Sequence, residues 1–109
     1  MNPYDLAELW RERLMGTEVS GTVTDPMSGA SAAYHLRCTA VSYSGFGEHI
    51  AIVWDDLTTG SYQRWERTAA QLAEETAETL TAELEAGVRE AIAADLATRR
   101  YAALVGEEL

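Results

Sequence analysis

Apolar and polar residues recur along this chain with two different periods, and the changes of period divide it into three segments. Residues 3–15 follow the helical period: at 100° per residue Leu6, Leu9, Trp10 and Leu14 share one face, while Glu8, Arg11 and Glu12 point away. Asn2 can cap this helix, Pro3 suits its first position, and Asp5 places a negative charge in the first turn. Gly16 stands where a C-terminal stop is expected.

From about 17 to 65 the period drops to two. Thr17–Thr24 is β-branched with Val19 and Val23 alternating, and Asp25-Pro26-Met27-Ser28-Gly29 is a turn cluster. Residues 33–43 alternate again, which puts Tyr34, Leu36, Cys38 and Ala40 on one side and His35, Arg37, Thr39 and Val41 on the other. Ser44-Gly45-Phe46-Gly47-Glu48 reads as a hairpin loop. His49–Asp55 follows with Ile50, Ile52 and Trp54 on one face, Asp56–Gly60 is a further turn, and Ser61–Trp65 is a short fourth strand. Connections this short imply antiparallel neighbours, so the prediction is a meander of three or four strands.

From Glu66 onward the helical period returns. Ala69, Leu72, Ala73, Ala77, Leu80, Leu84 and Val88 form one stripe, with Glu74, Glu78 and Glu85 opposite. Past Gly87 the phase slips, and Ile92 and Leu96 move toward the glutamate side. A straight helix over the whole segment would run about 58 Å, long for so small a domain. The pattern therefore predicts two helices, 66–86 and 88–104, broken at Gly87; one curved helix used in a dimer is the alternative. Together the segments predict a single α+β domain over residues 1–109, its helices covering one face of the sheet.

Charge changes this picture most. Eighteen Asp and Glu stand against eight basic residues, all arginine, for a net charge of −10. Such a balance argues against direct binding to nucleic acid or an anionic membrane and favours a basic protein partner. Five glutamates and no basic residue lie between Arg67 and Arg89. On one helix, Glu74–Glu85 would carry a charge per roughly 3.6 Å, close to the about 3.4 Å between phosphates of one DNA strand. Glu74, Glu75, Glu78 and Glu85 are the candidate contacts of a basic surface. Phe46, between two glycines at a loop tip, is a candidate aromatic anchor beside them.

Other chemistry is thinly represented. Asp55 and Asp56 are adjacent in a strand and point to opposite faces, so turn capping suits Asp56 better than a paired carboxylate site. His35, His49, Cys38 and Glu48 lack close ligand spacing, so no metal or cofactor is expected. Cys38 falls among core-facing residues as a buried thiol, and no nucleophile elbow or glycine-rich phosphate loop is present, so no enzyme is expected. Met1–Asp5 has neither the basic segment nor the apolar run of a signal peptide, and one cysteine makes no internal disulfide; a cytoplasmic setting is the expectation.

Gly16–Val23, followed by Ile52-Val53-Trp54-Asp55-Asp56, resembles strands of small SH3-like barrels. The resemblance covers less than half the chain and implies no function. The expected role is that of a non-enzymatic acidic module that inhibits or modulates a basic nucleic-acid-handling protein. By physical type it is similar to the small inhibitors of phages and mobile elements, anti-CRISPR proteins among them. A small structural or chaperone protein of a phage particle, dimeric through its C-terminal helices, is the alternative; so is an antitoxin or immunity protein.

Overall fold

Described over residues 2–44 and 48–107, the computed structural model is an α+β fold. Helix α1 (Pro3–Leu14) leads into strands β1 (Glu18–Thr24), β2 (Ser31–Ser44), β3 (His49–Asp56) and β4 (Tyr62–Thr68). A short α2 (Ala69–Ala73) and a long α3 (Ala77–Glu107) follow. The strands form one antiparallel sheet in the order β1-β2-β3-β4. Its edges, β1 and β4, do not pair with each other among the described residues, so the SH3-like resemblance does not extend to a closed barrel.

Local chemistry accounts for the first helix. The Asn2 side chain accepts from the Asp5 N–H at 2.9 Å, Pro3 opens the helix, and Gly16 takes a φ of +81° just past its end. Ala7, Trp10 and Leu14 are buried against the sheet, and the Arg11 guanidinium donates twice to the Val41 carbonyl, at 2.9 and 3.1 Å.

Helices α1, α2 and α3 share one core with the inner sheet face: Val23, Tyr34, Leu36, Cys38, Val41, Ile50, Ile52 and Trp54 meet Trp10, Leu72, Leu80 and Leu84. Trp54 is fully buried, as its alternation with Ile50 and Ile52 predicts. The outer face carries polar side chains such as Glu18 and His35, 2.7 Å apart. In β2 the predicted alternation holds only as far as Cys38. Cys38 pairs with Trp54 but Ala40 pairs with Val53, so Thr39 is an extra residue. This bulge flips the phase, and Val41, not Ala40, is the fully buried residue. Burial pushes the Cys38 thiol up to about 11.

The predicted break at Gly87 is absent. Residues 66–68 continue β4, where Glu66 and Thr68 pair with Ala51 and His49. Thr68 and Gln71 then form a reciprocal capping box that starts α2. The chain leaves helix between Ala73 and Ala77, and α3 begins there with Thr76 accepting from the Thr79 N–H at 3.1 Å. Gly87 lies inside α3, exposed, without the positive φ of a cap. The row Leu80-Leu84-Val88-Ile92-Leu96 advances about 40° per step around a helix. That drift looks like lost phase in sequence, yet a helix lying across a twisted sheet keeps the row in contact. Leu80, Leu84, Val88 and Leu96 are buried and Ile92 partly so. Their combined burial outweighs the roughly 1 kcal/mol that a mid-helix glycine costs.

Thirty-one helical residues reach about 46 Å, and the molecule is accordingly long, 59 × 25 × 25 Å. One clasp fixes the far part of α3 to the sheet. The Arg100 guanidinium donates to both oxygens of buried Asp25, at 2.6 and 2.8 Å, in the β1–β2 turn. The Ser28 hydroxyl donates to the same carboxylate at 2.7 Å. Against the burial that raises it, the Ser28 bond above all, helped by Arg100, holds the Asp25 carboxyl below the usual range.

Candidate protein-binding groove

Three of the four predicted glutamates come together. Glu78 and Glu85 are seven residues apart and so lie on one side of α3, next to Ala77, Thr81 and Ala82. Arg13 from the end of α1 and Thr17 close the opposite wall, leaving an open cleft of about 420 Å³. A second hollow of about 430 Å³ shares Arg13, Ala77 and Glu78 and adds Glu75 and Thr76. The two hollows adjoin along the start of α3 through Arg13, Ala77 and Glu78, and between them they are lined by three carboxylates, one guanidinium and two alanines.

Two of these carboxylates are held in place. Glu75 accepts from the Thr79 hydroxyl at 2.6 Å, and Thr79 is itself part of the α3 cap. Glu85 accepts from the Tyr34 hydroxyl at 2.7 Å, and that hydroxyl accepts in turn from Arg89 at 3.0 Å. The Tyr34 ring reaches Glu85 because its strand partner across the sheet is Gly21: a Cβ there would lie 2.6 Å from the Tyr34 oxygen. Glu78 is exposed, in the first turn of α3, where the helix dipole favours a negative charge. Arg13 stacks near the Trp10 ring, 5.6 Å from its centroid.

The remaining predicted contacts fall elsewhere. Glu74 is exposed on the α2–α3 turn and lines neither hollow, so Glu74–Glu85 is not one straight helix and the even spacing of phosphate-like charges is lost. Glu83 turns toward β4 and pairs with Arg67 at 3.3 Å, whose guanidinium stacks on Trp65. Phe46 lies outside the described residues. Sequence reasoning missed Arg13 as a wall of the groove and the Tyr34–Glu85 bond. The pairing of β1 with β2, which sets Gly21 against Tyr34, was the available signal.

Asp56 behaves as a turn residue. It accepts from the Thr58 and Thr59 N–H groups at 2.9 and 3.3 Å and from the Thr58 hydroxyl. Burial acts to raise its pKa, but these bonds together hold it below the ordinary value. No group of three or more metal-ligating side chains forms among the described residues, and no helix among them is long and apolar enough to cross a membrane.

Comparison of the chain with protein families, with curated proteins and with solved structures gives no match.

Proposed function

We propose that this chain is a non-enzymatic protein-binding module whose acidic groove takes a basic segment of a protein partner. The observation that supports this reading is the placement of Glu75, Glu78 and Glu85 along two adjoining hollows that share Glu78, Ala77 and Arg13. Carboxylates already positioned by Thr79 and Tyr34 lose little freedom on meeting an arginine or lysine, so the charge is preorganised for binding. Arg13 in the same groove makes the site selective, because it repels a partner whose cations sit one position out of register. The overall charge of −10 adds long-range attraction to a basic surface. A nucleic-acid-handling protein, basic by the nature of its ligand, is the partner class with that surface, and the setting is cytoplasmic. The role is then inhibition or modulation of that partner, as in the small acidic inhibitors of phages and mobile elements.

The test compares two baits in one host extract: the natural chain and the triple variant Glu75→Gln, Glu78→Gln, Glu85→Gln. Glutamine keeps shape and helix propensity, and its carbonyl can still accept from Tyr34. The expected result is a basic protein retained by the natural chain and released by the variant, with no shift of ordinary duplex DNA by either. Equal retention of the same partner by both baits, or tight binding of DNA by the chain alone, would overturn the reading.

A further inference from the structure

The polar ties between α3 and the sheet are unevenly spaced. Glu83, Glu85 and Arg89 hold its first half, to Arg67 at 3.3 Å and to the Tyr34 hydroxyl at 2.7 and 3.0 Å. Arg89 also reaches the Thr22 carbonyl at 3.4 Å. Among the described residues the next tie is Arg100 at Asp25, about three helical turns further on. The Arg99–Asp95 pair between them stays within the helix.

Apolar contact thins over the same stretch. Leu96 is buried and Ile92 partly so, yet from residue 98 to 106 every side chain is exposed except that of Arg100. Toward β3 and β4 the helix stands off the sheet. A hollow of about 280 Å³ there separates Ile92, Asp95 and Arg99 from Asp56, Thr59 and Gln63.

We propose that residues 90–106 are a strap that opens as one unit while the rest of the fold stays closed, and that the Asp25–Arg100 clasp is what holds it shut. The clasp is the strongest contact the segment makes, two charge-assisted bonds to a carboxylate side chain only 5% exposed. Arg100 reaches Asp25 only while the helix is intact from Arg89 onward, so the clasp, the Leu96 contact and the helical turns between them are lost together. Most of a helix's stability in water comes from packing of its apolar face, and the strap therefore unwinds as it leaves the sheet. Opening bares Ile92 and Leu96 and removes one wall of the hollow. The acidic hollows at the start of α3 precede the strap and do not change with it.

Native-state hydrogen exchange in low urea, read amide by amide by NMR, tests the proposal. Amides of residues 94–102 should exchange through an opening with weak urea dependence, well separated from the global unfolding that β2 and β3 amides report. Arg100→Gln should speed their exchange by about 10–100-fold, the worth of hydrogen bonds to a charged group, with urea dependence still weak. Leu104→Ala, exposed and outside the clasp, should leave their rates near those of the natural chain. Strap amides of the natural chain that follow the urea dependence of global unfolding would overturn the proposal, whether or not the variants fold. So would a smooth loss of protection toward the C-terminus that Arg100→Gln does not alter, which is simple end fraying.

Discussion

Replacing Gly87 by alanine should stabilise the protein. Gly87 is exposed inside α3, its φ is not positive, and a Cβ built there meets nothing within 4 Å among the described residues. The added methyl group neither clashes nor packs, so only the intrinsic helix preference and the reduced freedom of the unfolded chain remain. Those amount to about 0.8–1 kcal/mol. Gly16 supplies the control. A Cβ there also meets nothing within 4 Å among the described residues, but its φ is +81°, where a side chain costs about 1–2 kcal/mol. The two substitutions differ in backbone conformation alone and should have opposite signs. Urea denaturation of dilute protein, followed at 222 nm, measures both. With m of about 1–3 kcal/mol/M, Gly87→Ala should raise the midpoint by about 0.3–0.9 M at unchanged m, and Gly16→Ala should lower it. A fall in stability for Gly87→Ala would mean a left-handed cap at that position and would refute the continuous helix.

Gly21→Ala should destabilise by about 1–3 kcal/mol, the usual range for overpacking, because its Cβ would overlap the Tyr34 hydroxyl; calorimetry should show the loss, and Tyr34→Phe in the same background should relieve part of it. Trp54→Ala should cost about 3–5 kcal/mol, whereas Trp54→Phe should cost clearly less, since the buried indole Nε1 has no hydrogen-bond partner among the described residues. Equal losses for the two in denaturant titrations would contradict that. The Asp25 pKa is lowered on folding, so its contribution is complete above the unfolded value of about 3.9 and disappears as pH falls through the native value. Melting temperature should drop below about pH 4, and Asp25→Asn should be less stable at neutral pH with a shallower acid dependence.

The element types were legible because each follows from nearest-neighbour chemistry: the Asn2-Pro3 start, the alternation of Ile50, Ile52 and Trp54, the turns at Asp25–Gly29 and Asp56–Gly60. What escaped depends on contacts between segments. Ile92 and Leu96 read as out of phase because the path of a helix over a twisted sheet is not written in the helix itself. The bulge at Thr39 is invisible to strict alternation, since only the partner strand shows that a residue is extra. The start of α3 was encoded in Thr76 and Thr79, two residues outweighed by the more conspicuous glycine at 87. Glu75, Glu78 and Glu85 could be nominated by charge, but their convergence required Arg13 and Thr17 from the other end of the chain to supply the facing wall. Glu74 leaves that helix face because the chain departs from helix between Ala73 and Ala77, a break that the charge pattern does not encode.

The acidic groove is tested most directly by association kinetics with the captured partner as salt is varied. For the natural chain the association rate should fall steeply as screening increases. For the Glu75→Gln, Glu78→Gln, Glu85→Gln variant it should start lower and fall less. Superimposable rates for the two proteins at every salt concentration would contradict the account and leave these carboxylates as solvated helix charges.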